Sequence, residues 1–353
     1  MKKITVAVLF GGHSTEYEIS LQSAAAVIKS LDRGKYDVVR LGITRDGQWL
    51  KFDGDDARIE DGAWLSEGPC APAIISPDRL TRGILVFEGG GVKTLAVDAA
   101  FPVLHGKNGE DGTVQGLLAL AGIPCAGCGT LCSAVCMDKD VANRLVALGT
   151  GVRVPPFITL RAPAPESELL SLTSNMGYPL FVKPANGGSS FGITKVYRSS
   201  ELAAAVEAAF GHDGKVVIEE SVPGFEIGCA VLGDEALTVG EVDEIELSHG
   251  FFDYTEKYTL KTSKIHMPAR ISPETAERVK QAARDIYRAL ECSGMARVDM
   301  FLTPGDEIVF NEVNTIPGFT SHSRYPNMLG GAGLSFADIT DTLIALALKR
   351  PQA

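Results

Sequence analysis

Four side chains near the C-terminal end of the sequence could build a cation site. Arg297 and Asp299 lie two apart in one apolar stretch, and Glu312 and Asn314 lie two apart in the next. Residues two apart on a strand face the same side. A turn at Pro304-Gly305-Asp306 can fold the second strand back on the first, bringing Asp299 near Glu312. Two carboxylates and an amide suit Mg²⁺, which leaves the rest of its shell to phosphates and water. The bland alternative is a hairpin with charges on its solvent side. Three oxygen donors beside Arg297 and a Pro-Gly turn favour the metal.

Two lysines could meet phosphates as point charges. Lys183 ends an apolar strand just before Ala185-Asn-Gly-Gly-Ser-Ser-Phe-Gly192. Gly187, Gly188 and Gly192 permit close backbone approach, and Ser189 and Ser190 can donate to phosphate or substrate oxygens. Lys139 stands between Asp138 and Asp140 in a helical pattern, and by itself it reads as a solvated helix face. Two more loops, 11–16 and 105–112, follow apolar strands, at the strand ends where α/β sheets bind ligands. The first is not G-x-G-x-x-G, so a dinucleotide fingerprint is poorly supported. The polar-aromatic stretch 252–258 has the length of a lid, or of a plain surface turn.

The elements that must hold these residues follow from periodicity. Residues 3–10, 35–42 and 97–104 read as buried strands, with helices at 19–31 and 113–121. Strand–glycine–helix–strand order predicts an α/β layer with a parallel sheet. Residues 51–93, rich in Asp, Gly and Pro, resist assignment. A helix over 133–148 carries Lys139. Strands at 178–184 and 193–197 flank the Gly-rich turn, followed by a helix at 201–210 and a strand at 215–220. Strand–turn–strand here is a hairpin able to fold over phosphates. Short strands at 226–232 and 237–242 precede a helix at 273–290. In that helix Ala276, Val279, Ala283, Ile286 and Leu290 form one apolar face. Strands at 296–302 and 307–311 and a helix at 335–348 end the chain.

Composition narrows the class. The net charge of −11 argues against nonspecific binding to nucleic acid or an anionic membrane. No apolar run approaches the ~20 residues of a membrane span. The N-terminus runs into a strand rather than a signal peptide, so a cytoplasmic protein is expected. Glycine, 38 of 353 residues, exceeds the usual ~7% and points to ligand-approaching loops. Cys125, Cys128, Cys132 and Cys136 come close to a ferredoxin-type run without matching it. Cys132 and Cys136 fall one helical turn apart in an apolar stretch, where cysteine acts as a small hydrophobe, so packing is the expected role.

Together these residues resemble the D-alanine–D-alanine ligase family of the ATP-grasp superfamily. The resemblance runs through 11–20, 105–112, 137–139, 183–192, 218–226, 252–258, 296–300 and 311–326, in the family's order. It implies an α/β fold of three-domain ATP-grasp architecture with an N-terminal parallel-sheet domain. The domains would be 1–125, 126–221 and 222–353, with ATP between the last two. By the resemblance, Lys139, Lys183 and Ser190 would hold ATP phosphates. Glu219, Glu220 and Val222 would edge the adenine, and Glu226 would take the ribose. Asp299, Glu312 and Asn314 would carry two Mg²⁺, or Mn²⁺ in their place. Glu16, with His105 nearby, would bind the first D-alanine and link to Ser189 and Tyr258. Lys257 would reach the transferred phosphate. Arg297 and Gly318 would stabilise the reacting carboxyl group, and Ser323 would anchor the second substrate. A homodimer through the N-terminal domain is also implied.

Departures from the family pattern bear on specificity. Typical D-alanine–D-alanine ligases carry an aliphatic residue after Ser323, but here it is Arg324. Ser-Arg-Tyr-Pro looks like the vancomycin-resistance ligases, which add D-lactate or D-serine. The D-lactate enzymes lack a Lys-Tyr lid pair, whereas Lys257-Tyr258 is present. Phe251-Phe252 and the acidic stretch 241–246 are similar to the D-serine group, in particular its G type. The expectation is a D-alanine–D-serine ligase, with Asp243, Phe252 and Arg324 shaping a polar second subsite. The rivals are a housekeeping D-alanine–D-alanine ligase, another ATP-grasp carboxylate–amine ligase, and a nucleotide-binding regulator without turnover.

Overall fold

The computed structural model describes residues 2–188, 192–247 and 263–351. The first unit holds β1 (Ile4–Gly11), α1 (Tyr17–Ser30), β2 (Tyr36–Ile43), β3 (Trp49–Phe52), α2 (Ala57–Glu60), β4 (Cys70–Ile75), β5 (Gly83–Glu88), β6 (Gly91–Ala96), β7 (Ala99–Pro102) and α3 (Thr113–Ala121). Its sheet runs β6-β5-β4-β3-β2-β1-β7. Only β2, β1 and β7 are parallel. The expected parallel sheet is therefore one end of it, and the stretch that resisted assignment extends it with antiparallel strands. Those strands are short, and β6 is mostly exposed, so no long apolar run announces them.

Strand β1, flanked by β2 and β7, is buried from Val6 onward because both its faces are covered. Val6, Val8 and Phe10 point into a core with α1, while Ala7 and Leu9 point into a second core with α3. Ser20, buried on α1, fixes the ligand end of this layer. Its hydroxyl accepts from the Gly11 N–H at 2.8 Å and donates to the Val103 carbonyl.

The middle unit contains α4 (Thr130–Met137), α5 (Lys139–Gly149), β8 (Phe157–Leu160), α6 (Glu166–Leu172), β9 (Leu180–Pro184), β10 (Thr194–Val196), α7 (Leu202–Phe210) and β11 (Val216–Glu220). Its antiparallel sheet runs β10-β9-β11-β8. The single helix expected over 133–148 is two helices. Asp138 breaks it with an extended ψ of 101° and caps the second helix by accepting from the Val141 N–H at 3.1 Å. Lys139 thereby opens α5 instead of riding on a helix flank.

The last unit contains β12 (Phe225–Gly233), β13 (Leu237–Val239), β14 (Asp243–Leu247), β15 (Ser263–His266), α8 (Pro273–Ala289), β16 (Gly294–Leu302), β17 (Ile308–Asn314), α9 (Arg324–Gly331) and α10 (Phe336–Lys349). The sheet runs β15-β14-β12-β16-β17, with β13 paired to β12. Helix α8 begins as its residues dictate. Ser272 accepts from the Thr275 N–H, Pro273 occupies the first turn, and Val279, Ala283 and Ile286 are buried. Helix α9 was not foreseen; Ser323 before it and Pro326 in its first turn were the available signals. Helix α10, with a Ser335–Asp338 capping box, joins the core of the first unit's sheet through Ile339, Leu343 and Ile344.

Candidate functional site

A cleft of about 590 Å³ opens between the middle and last sheets. Its walls include Lys139 and Lys183 on one side and Glu312 on the other, with Glu219, Glu220, Val222 and Glu226 along its edge. The edge is the connection from β11 to β12, which joins the two sheets. Lys183 on β9 is buried and paired with Glu219 on β11. Its ammonium also lies 5.4 Å from the Phe181 ring centroid. The Lys139 ammonium donates to the Gly187 carbonyl at 2.7 Å, and its backbone N–H donates to Ala185 at 3.0 Å. The solvated-face reading of Lys139 is thus corrected, because the break at Asp138 turns it toward the Gly-rich loop. Ser189 and Ser190 lie outside the described residues.

A second cavity, of about 320 Å³, lies where all three units meet. Glu16, His105, Arg297, Gly318, Ser323 and Arg324 line it. Glu16, buried at the start of α1, points at two glycines. A β-carbon on Gly106, whose φ is +74°, would sit 2.7 Å from Glu16 Oε2, and one on Gly188 would sit 3.0 Å away. His105 Nδ1 is 2.9 Å from the Ile316 carbonyl, and its Nε2 is 3.3 Å from the Ser23 hydroxyl. Ser323 accepts from the Thr320 N–H at 2.9 Å. Phe252, Lys257 and Tyr258 lie outside the described residues.

A small cavity joins the two larger ones, lined by Lys139, Gly188, Glu110, Glu312 and Asn314. Of the metal-type donors, Glu312 and Asn314 line this junction, and the expected strand pairing sets the buried Asp299 beside them. Asp299 stands opposite Glu312, and Arg297 opposite Asn314, before the register shifts between Asp299 and Met300. The Asn314 amide nitrogen donates to Asp299 at 2.9 Å, which leaves its side-chain oxygen as a ligand atom. Two carboxylates and that oxygen, beside a cleft edged with lysines, fit Mg²⁺.

The electrostatics centre on Asp299. Arg297 grips it with both ends of its guanidinium, at 2.9 and 2.7 Å. Burial works against the Arg297 charge, but Asp299 outweighs it and raises the pKa. Arg324 does the same one strand away. It donates twice to Asp243 at 2.7 Å and to Glu226 at 3.1 Å, and lies 3.3 Å from Asp299. Asp243 is fully buried, so it reaches the second cavity through Arg324. Between Asp243 and Asp299 the middle strand carries Gly228, paired with both. A β-carbon there would lie 2.2 Å from Arg324 Nη2. The missing side chain is the space the guanidinium fills.

Sequence reasoning did not find Glu110, Ser23 or Gly228. Glu110 accepts from the Gly106 N–H at 2.8 Å and the Ile316 N–H at 3.0 Å, clamping first and last units together. A carboxylate inside a glycine-rich loop was its signal. Gly228 had one too, as a glycine inside a strand. Ser23 hid among the small residues of α1.

Residues 5–128 match the family profile described as D-ala D-ala ligase N-terminus, and residues 146–345 match D-ala D-ala ligase C-terminus. The vancomycin B-type resistance protein VanB of Enterococcus faecalis is 46% identical over 363 residues, covering 99% of this chain and 100% of that protein. D-alanine–D-alanine ligase A of Escherichia coli is 42% identical over 357 residues, covering 100% of this chain and 98% of that one. Among solved structures, the VanG D-Ala:D-Ser ligase from Enterococcus faecalis superposes with a TM-score of 0.91 at 55% identity, covering 98% of this chain and 100% of that one.

Proposed function

The chain belongs to the D-alanine–D-alanine ligase family, and from that premise we propose that it joins D-alanine to D-serine with cleavage of ATP, supplying a modified peptidoglycan precursor that lowers vancomycin binding. The observation that carries the reading is the Asp243–Arg324–Asp299 network behind the second cavity. Through it Arg324 brings a buried guanidinium to the wall of that cavity, which would give a hydroxymethyl side chain a partner and a methyl none. A site built to hydrogen-bond a hydroxyl rejects the analogue lacking it more strongly than an apolar pocket does. The 55% identity to a D-Ala:D-Ser ligase points the same way.

In this reading a carboxylate, a poor electrophile, is activated by phosphorylation. The first D-alanine sits with its ammonium at Glu16 and its carboxylate toward the junction. Lys139 and Lys183, with the Gly-rich loop and Ser190, hold the nucleotide phosphates in the larger cleft. Glu219, Glu220 and Val222 edge the adenine, and Glu226 takes the ribose. Asp299, Glu312 and Asn314 would hold two Mg²⁺, which neutralise phosphate charge. Attack of the carboxylate on the γ-phosphorus gives an acylphosphate and ADP, and by the resemblance Lys257 would reach the transferred phosphate. The second substrate, its carboxylate anchored by Ser323, attacks the acyl carbon with its amine. Arg297 and the Gly318 N–H stabilise the tetrahedral oxygens, and phosphate leaves. Preorganised charge of this kind is the large catalytic contribution, and the family resemblance implies that Ser189, Tyr258 and Phe252 would help keep water from the acylphosphate.

The deciding experiment gives purified protein ATP, D-alanine and competing D-serine, and identifies the dipeptides by mass. Mainly D-Ala–D-Ser is expected. Mainly D-Ala–D-Ala would instead establish the housekeeping reading, which the E. coli ligase at 42% identity supports. Phosphate release with L-amino acids alone would indicate another carboxylate–amine ligase. ATP binding without D-alanine-dependent phosphate release would indicate a regulator. The family resemblance also carries a cytoplasmic homodimer formed through the N-terminal domain. Among the described residues no single helix is long and apolar enough to cross a membrane.

A further inference from the structure

Outside the two cavities, four thiols converge behind the helix that leads to Lys139. Cys128 precedes α4, Cys132 and Cys136 stand one turn apart on it, and Cys292 arrives from the loop between α8 and β16. The Cys132 Sγ lies 3.2 Å from that of Cys292 and 3.8 Å from that of Cys136, and Cys136 to Cys292 is also 3.8 Å. Cys128 closes the group, its Sγ within 4.8 Å of those of Cys132 and Cys292. All are free thiols, far beyond the ~2.05 Å of a disulfide. The spacing 128–132–136 is incomplete as a metal set by itself, and the fold supplies the fourth ligand from a site 160 residues away from Cys132.

We propose that Cys128, Cys132, Cys136 and Cys292 form a structural Zn²⁺ site. Four sulfurs at Zn–S distances of ~2.3 Å stand ~3.8 Å apart along each edge of a tetrahedron. The Cys132–Cys136 and Cys136–Cys292 edges already have that length, while Cys128 stands more than 4.8 Å from Cys136 and would move toward it on binding. Thiolate sets select soft ions, and four of them in a tetrahedron match Zn²⁺. Cys128, Cys132 and Cys136 are nearly fully buried and all four donors are protein sulfurs, as in a structural rather than a catalytic site. Binding replaces four S–H protons by one ion: Zn²⁺ and four thiols give a tetrathiolate complex of charge −2 and release four protons. The Cys128 proton, now donated to the Met295 carbonyl at 3.2 Å, is one of these. The ion would pin α4 to the last unit just before the break at Asp138. Cys136 itself lines the junction with Lys139 and Glu312.

The test uses the full-length protein grown with zinc and dialysed against EDTA to strip oxygen-bound ions. One zinc per chain by elemental analysis is expected, released in step with thiol titration by a mercurial. Cobalt exchanged into the site should give intense sulfur-to-cobalt charge-transfer and tetrahedral bands, which Asp and Glu sites do not give. Cys132→Ser and Cys292→Ser should lose the bound ion, and Cys70→Ser should keep it. If the two site variants fail to fold, the wild-type cobalt spectrum and coupled zinc release decide alone. Absence of retained zinc together with a silent cobalt spectrum overturns the site. Iron in place of zinc on the same sulfurs overturns the assignment of the ion.

Discussion

At the scale of single residues, the site rests on a vacancy in a strand. Gly228 has no side chain, and the Arg324 guanidinium lies where its β-carbon would be, between Asp243 and Asp299. Removing the cation leaves a fully buried carboxylate without its partner, which costs about 3–5 kcal/mol. Arg324→Met should therefore lower the melting temperature by several degrees and relax any preference for D-serine. Gly228→Ala should destabilise by a comparable amount, because the methyl evicts the same guanidinium. The two changes share one volume, so the double variant should lose clearly less than the sum of the singles. Additive losses in denaturant unfolding would mean that the arginine and the glycine are not coupled. The facing of Asp299 and Glu312 was legible from the sequence, since period-two strands and a Pro-Gly turn dictate it. The role of Gly228 was not, because it depends on three strands lying side by side and on a side chain from a helix 96 positions later in the numbering.

At the scale of elements, the break between α4 and α5 does the positioning. Asp138 caps α5 through the Val141 N–H and pairs with the buried Lys215 ammonium. Lys139 follows directly and turns to the Gly187 carbonyl. Losing an aspartate N-cap costs about 1 kcal/mol, and losing the pair with Lys215 adds to it. Asp138→Ala should thus be modestly destabilised but strongly impaired toward ATP, with KM for ATP rising several-fold while KM for D-alanine changes little. A Asp138→Asn variant keeps a good cap and should recover most of the stability. Equal rises in both KM values would show that the break does not serve the nucleotide end. Periodicity found the apolar faces of both helices but joined them, because 133–148 carries no proline or glycine before Gly149 to mark a stop. The antiparallel extension β3–β6 escaped for the opposite reason. Its strands are short, partly exposed and rich in turn residues, so they carry neither period. The helix α8 and the β16–β17 hairpin were found because cap, face and turn all agree in the local sequence.

At the scale of the whole molecule, carboxylate–arginine ties, some local and some between parts of the chain far apart in sequence, set the response to acid. Asp234 holds Arg350 from the last helix, and Arg350 in turn donates to the Cys125 and Gly127 carbonyls at the start of the middle unit. Burial alone would raise the Asp234 carboxyl, but the hydrogen bonds and charge of Arg350 prevail and lower it. Glu244 is lowered chiefly by its hydrogen bond to Arg270. Asp140 is lowered by Thr159 and Arg144 against the opposing effect of burial. A carboxyl with a depressed native pKa binds its proton more readily in the unfolded chain. The stability it contributes is complete above the unfolded value of about 4 and is lost as pH falls through the lower folded value. Three such groups predict a flat melting temperature from neutral pH down to about pH 5, then a steep fall. Asp234→Asn removes one of them, so it should lower stability at neutral pH and make the acid limb shallower. An acid limb of unchanged slope in that variant would mean that the tie to Arg350 contributes nothing to acid sensitivity.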